Sequence, residues 1–216
     1  MNSRLENVLP ADIERRSFEI ITQELAQMGK PLAPGTEPIV KRCIHTSADF
    51  DYADNLYFSE NAVAAGLEAI RGGAVIVTDT QMARSGISKR TLARFGGEVH
   101  CFMSDEDVAR QARENGCTRA SVSMDKAASL GDNVIFAIGN APTALIRLRE
   151  LIDEGRIRPR LIIGVPVGFV NVTVSKELIM ETDVPCIIAR GRKGGSNIAA
   201  CICNALLYML DEKRGM

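Results

Sequence analysis

The stretch "NVIFAIGNAPTAL", Asn133 to Leu145, runs from a continuous apolar segment through a glycine into a helical pattern opened by proline. An apolar run of strand length with no polar alternation is the pattern of a strand buried on both faces, as in a parallel sheet covered by helices. Gly139 allows a tight turn, and Pro142 suits a first helical turn, where its missing N–H costs nothing. The stretch therefore reads as one strand-turn-helix unit, and repetition of that unit along the chain would define an α/β fold.

The pattern does repeat. Comparable runs are "AVIVTD" (74–79), "EVHCFM" (98–103), "RASVSM" (119–124), "RLIIGVPV" (160–167) and "PCIIARG" (185–191), separated by segments of helical period. This alternation predicts an α/β fold: a single-domain three-layer sandwich over residues 1–216, with a mainly parallel sheet flanked by helices. Helix boundaries are also marked. Ser104 precedes "DEDVARQAREN", with Asp107 in capping-box position and Gly116 at the far end. Asp12 opens a helix whose apolar stripe is Phe18, Ile21, Leu25 and Met28 and which Gly29 ends. Ser59, Ser175 and Ser196 read as caps of three more helices. "KPLAPGTEPIVKR", with three prolines, reads as a constrained connector that leaves His45 in a loop.

Composition bounds the function. The 216 residues are 46% hydrophobic and 25% charged with a net charge of -1, so a core is affordable and no polyanion such as nucleic acid is expected as partner. No leader pattern or apolar stretch of about 18 residues is seen, which predicts a cytoplasmic protein without membrane attachment. The cysteines at 43, 101, 117, 186, 201 and 203 form no CxxC pair and read as reduced core thiols, with no metal site.

Ligands of parallel sheets bind at the carboxyl ends of the strands, which directs attention to three turns. "GNAPTAL" (139–145) offers a helix start with free N–H groups and Thr143, an anion seat. "RGRKGGSN" (190–197) combines three cations, three glycines and a serine. "VPVGFVNVTVSKE" (165–177) is another glycine-punctuated turn. Each alone is equally an ordinary turn, and none has a nucleotide-loop spacing or a GxGxxG after a strand, so a cofactor-free site for a ligand with several carboxylates fits best. Of the two histidines, His100 lies mid-strand and reads as a satisfied core residue. His45 lies among Lys41, Arg42, Thr46 and Ser47, with Asp49 or Asp51 available to orient it. These residues leave it open between a polar-loop residue and a general acid.

Taken in order, "SFEII" (17–21), "RCIHTSADFDYA" (42–53), "TDTQMARSGI" (78–87), "FAIGNAPTAL" (136–145), "GVPVGFVNVTVSKE" (164–177) and "GRKGGSNIAACICNALLY" (191–208) resemble the precorrin-8X / cobalt-precorrin-8 methylmutase family. The resemblance implies an isomerase of cobalamin biosynthesis that moves a methyl group on ring C of a tetrapyrrole, giving hydrogenobyrinate or cobyrinate. It implies a homodimer with the ligand near the subunit interface. It places the catalytic histidine on His45, donating a proton or hydrogen bond to a ring nitrogen, and implies no cofactor beyond cobalt carried in the substrate. Carboxylate anchors are expected among Ser17, Arg42, Thr46, Asn140, Thr143, Arg192, Lys193 and Ser196. Two departures from the family pattern are Val174, where an acidic residue is expected, and Ser47, in place of a commoner threonine. The alternative reading is a carrier that binds and delivers the corrinoid product without catalysis.

Overall fold

The computed structural model describes residues 8–9 and 12–211, so the amino-terminal residues read for a leader, 1 to 7, lie outside it. In chain order the elements are α1 (Ile13–Gln27), α2 (Glu37–Ser47), α3 (Tyr52–Asn55), β1 (Leu56–Phe58), α4 (Ala62–Arg71), β2 (Val75–Thr78), α5 (Gln81–Gly86), α6 (Lys89–Ala93) and β3 (Glu98–His100). There follow α7 (Glu106–Glu114), α8 (Arg119–Ala127), β4 (Val134–Ile138), α9 (Pro142–Asp153), β5 (Leu161–Gly164), α10 (Val172–Met180), β6 (Cys186–Ala189) and α11 (Ser196–Leu210). The strands form one sheet in the order β1-β6-β5-β4-β2-β3. Every neighbouring pair is parallel except β1 with β6.

Strand periodicity of two explains the layers. In β4, Ile135 and Ala137 join the core shared with α1, α2, α4 and α11, whereas Val134, Phe136 and Ile138 join the core shared with α8, α9 and α10. In β6 the same division separates Ile187 and Ala189 from Cys186 and Ile188. The expected α/β sandwich with a mainly parallel sheet is thus observed.

Several local expectations are corrected. "RASVSM" is helix, not strand: Ala120, Ser123, Met124 and Ala127 are buried at helical spacing, and the Thr118 hydroxyl accepts from the Ser121 N–H. Its alternating Val122 and Met124 satisfied a period of two as well, and in so short a run the two periods are indistinguishable. The prolines of "KPLAPGTEPIVKR" do not keep it irregular, because Pro38 falls in the first turn of α2, the turn that tolerates proline. His45 is consequently on a helix rather than in a loop.

Three serines do not cap. Asn61 and Asn171, both left-handed, precede α4 and α10, and Gly195 precedes α11. Ser59 instead accepts the Cys186 N–H at 2.8 Å and ties β1 to β6, while the buried Ser175 hydroxyl donates to the Val172 carbonyl. Ser104 ends a short 3-10 turn, and Asp105 takes the position before α7. Both Asp105 and Asp107 accept from Lys126 of α8. The short antiparallel β1 was not foreseen, since three residues carry no periodic signal.

His100 is not in the core. It lies on the edge strand β3, half-buried and stacked on Phe102 at 5.5 Å. Its Nε2 lies 2.8 Å from Glu98 Oε1 but is not aligned for a hydrogen bond. Cys117 is exposed, unlike the other five cysteines.

Candidate active site

Leu56 pairs with Ala189, so the segment leading into the antiparallel β1 lies at the carboxyl end of β6. This brings the last turn of α2, with His45, to the rim where β2, β4, β5 and β6 also end. The exposed His45 ring lies 5.4 Å from Phe18 of α1 at an interplanar angle of 31°. Beside it the Arg42 guanidinium lies 5.1 Å from the Phe18 ring and 4.7 Å from Tyr208 of α11, and pairs with Glu14 at 2.7 Å. Two aromatic faces and a carboxylate fix that fork before any ligand arrives. One residue on, the Thr46 hydroxyl donates to Cys201 Sγ at 3.2 Å, joining α2 to α11. The Cys43 thiol, donating to Cys201, lowers the pKa of Cys201, and the Thr46 hydroxyl adds to this. The same hydrogen bond to Cys201, and after it burial, raises the Cys43 thiol pKa.

The strand order reverses between β2 and β4, the switch point at which parallel sheets open a crevice. Here that place is filled by the protein itself. Asp79, 1% exposed, accepts the Gly139 N–H at 2.8 Å on Oδ1 and the Asn140 and Ala141 N–H groups at 2.8 and 2.6 Å on Oδ2. The "GNAPTAL" N–H groups expected to seat a ligand anion therefore already hold an internal one. Burial pushes the Asp79 carboxyl pKa up, against the three backbone donors that pull it down.

Next to Asp79, Thr80 Oγ1 accepts the Ala83 N–H and donates to Ser196 Oγ at 2.8 Å, so the β2, β4 and β6 turns form one unit. A Cβ on Gly139 would stand 2.7 Å from Ser196 Cα and 2.8 Å from the Gly195 carbonyl oxygen. Gly139→Ala is expected to spread the β4 and β6 turns and weaken ligand binding by about tenfold, at a stability cost of about 1–3 kcal/mol. Thermal unfolding and a spectroscopic titration with hydrogenobyrinate, one of the products that the sequence resemblance implies, would check this.

The remaining predicted residues divide by what they already hold. Ser17 donates to the Ile13 carbonyl of its own helix, and Thr143 shares a hydrogen bond with Thr118 at 2.9 Å. Lys193 binds Asp49 at 2.6 Å and Asp51 at 2.5 Å. These aspartates therefore fasten the β6–α11 loop to the α2–α3 loop instead of orienting His45. Those partners raise the Lys193 pKa, and Lys193 lowers that of Asp49. Arg192 lies 5.2 Å from the Phe169 ring, and Asn140 is exposed at the rim. The structure thus gathers Ser17, Arg42, His45 and Thr46 on the α1–α2 side and Asn140, Thr143 and Ser196 on the α9–α11 side, with the 190–195 loop tied to the α2–α3 loop through Lys193. Asp79 and Thr80, which tie these turns together, were not singled out in the sequence. An acidic residue directly after a buried strand was the one available sign.

A parallel-sheet domain whose carboxyl-end rim carries a helix-borne histidine, a fixed arginine and glycine-rich turns is of the α/β enzyme class. The chain belongs to the precorrin-8X methylmutase family, whose model matches residues 12–209, and it is an isomerase of cobalamin biosynthesis. It is 47% identical over 208 residues to the cobalt-precorrin-8 methylmutase of Salmonella typhimurium, covering 94% of this chain and 97% of that protein. It is 45% identical to the cobalt-precorrin-8 methylmutase of Priestia megaterium, covering 95% and 90% of the two chains. The crystallised precorrin-8x methyl mutase of Thermus thermophilus superposes with a TM-score of 0.84 at 38% identity, over 94% of this chain and 98% of that one. Among the described residues, no helix is long and apolar enough to cross a membrane.

Proposed function

We propose that this chain, acting as one domain, catalyses methyl migration on ring C of precorrin-8X or cobalt-precorrin-8, with His45 as the general acid. The reading is supported above all by the exposed imidazole at the rim end of α2, beside an arginine already fixed by Glu14, Phe18 and Tyr208. A methyl shift within one conjugated macrocycle needs no nucleophile, redox centre or methyl donor. A proton delivered to the ring nitrogen beside the migrating methyl favours the shifted arrangement of electrons. The protein then needs no cofactor of its own, and any cobalt arrives within the substrate. The macrocycle's carboxylate arms are held by Ser17, Arg42, Thr46, Asn140, Thr143, Arg192, Lys193 and Ser196, which fixes the nitrogen against His45.

The enzyme works in the cytoplasm as a homodimer with its site near the interface. Exposed Val167, Phe169, Val170 and Val174, beside Arg192, are the apolar surface that supports this pairing. Val174, where an acidic residue was expected, adds to that surface. Equilibrium sedimentation is expected to give twice the 23.4 kDa chain mass, and Phe169→Asp to give the single mass.

Mixing metal-free and cobalt-bound precorrin-8 with the protein tests the function. A change in the visible spectrum that survives denaturation, and that His45→Ala fails to produce, establishes chemistry, and the faster substrate identifies the natural one. A shift that reverses on denaturation with unchanged ligand recovered would make the protein a carrier.

A further inference from the structure

Lys176 of α10 is 1% exposed, yet it forms no ion pair with a carboxylate among the described residues. Its ammonium donates to the carbonyls of Gly191 at 2.8 Å and Lys193 at 2.9 Å, both in the loop between β6 and α11. The charged groups of the surrounding elements are turned elsewhere. Arg149 of α9 serves Asp153, Glu181 and the Leu178 carbonyl. Lys193 is held by Asp49 and Asp51, Arg190 lies over Tyr57, Arg192 lies over Phe169, and Glu177 of α10 itself is exposed. Burial is the sole cause that pulls the Lys176 pKa down, to about 8. A buried ammonium with only carbonyl partners is expensive to keep charged.

The loop converts that charge into a directed field. No peptide bond in it is cis, and in a trans peptide the N–H points opposite to the C=O of the same plane. With the Gly191 and Lys193 carbonyls turned to the ammonium, the N–H groups of Arg192 and Gly194 point away from it. Neither donates to an acceptor among the described residues. Gly191 and Gly194 have φ of 72° and 155°, values that leave glycine the natural choice. A cation on the carbonyl side polarises each peptide and strengthens its N–H as a donor.

We infer that Lys176 is a positioning residue and built-in counter-charge for one carboxylate of the ligand, acting through the peptide planes of the 191–195 loop rather than by contact. The inference rests on the tetrapyrrole reading above, which supplies the carboxylate. An anion brought to the far side of the loop raises the ammonium's hold on its proton. Binding therefore takes up a proton wherever free Lys176 is partly neutral, at about pH 8 and above. Affinity is full below that range and falls as pH rises through it, by up to about tenfold per pH unit for one linked proton, levelling once the bound-state pKa is passed.

Calorimetric titration of the full chain with hydrogenobyrinate at about pH 9, in two buffers of different ionisation enthalpy, reads the linkage directly. Uptake of up to about one proton per site is expected. Lys176→Met is expected to bind about tenfold more weakly at neutral pH and to show no uptake at alkaline pH, a signature that a purely structural lysine would not give. Wild-type binding without proton uptake overturns the inference and leaves the tetrapyrrole reading intact. No binding at any pH overturns both. Should Lys176→Met fail to fold, the wild-type titration decides alone.

Discussion

His45→Ala is expected to lower kcat by about 10²–10⁴-fold, the range contributed by a positioned general acid. Affinity for the corrin product should change by less than about tenfold, or 1.4 kcal/mol. The separation follows from geometry. His45 is exposed at a helix end, so its loss opens no core cavity, and Arg42 keeps its Glu14, Phe18 and Tyr208 contacts without it. His45→Gln sharpens the result, because glutamine can donate a hydrogen bond but cannot give up a proton. If proton transfer drives the shift, Gln should recover no more than about tenfold over Ala. Single-turnover absorbance traces with both variants would show this, and a Gln variant near wild-type speed would reduce His45 to a neutral donor.

The sequence was most legible where one local pattern determined one element. The β4–α9 unit followed from an apolar run, a glycine and a proline, and the two apolar faces of β4 confirm why that run lacked polar alternation. It was least legible where two patterns competed. "RASVSM" satisfied both periods, and tertiary burial of Ser123 and Met124 selected the helix. Prolines suggested irregular chain before His45, although proline in a first turn is compatible with α2.

The site divides in the same way. Residues within recognisable turns could be named from sequence, but their partners could not, because those contacts join distant segments. Lys193 meets Asp49 across 144 positions, and Thr80 meets Ser196 across 116. Lys176 was visible only as one letter of "SKE". Its role depends on two carbonyls that have no side-chain signature. Polar residues under a rim serve backbone, and backbone geometry is what a linear reading lacks.

Asp79→Ala is expected to cost about 3 kcal/mol of stability, since three N–H donors, that of Gly139 buried and those of Asn140 and Ala141 partly so, lose their acceptor at once, and each orphaned buried donor costs about 1–3 kcal/mol before local relaxation or water entry. For a chain of this length that lowers Tm by roughly 6–12 °C. Asp79→Asn should fall between alanine and wild type. Its one oxygen can keep the Asn140 and Ala141 N–H groups, but its NH₂ then faces the Gly139 N–H, and the helix start loses a negative charge. The relief of no longer burying a charge offsets part of that loss, consistent with a carboxyl pKa that burial has already raised. Activity should fall too in the folded alanine variant, because the turn released from Asp79 is the one packed against Gly195 and Ser196. Thermal unfolding of the three proteins, with kcat/KM measured well below the lowest Tm, separates the two effects. An alanine variant within about 1 kcal/mol of wild type would mean that water replaces the carboxylate at the switch point, and that this turn does not depend on it for its shape.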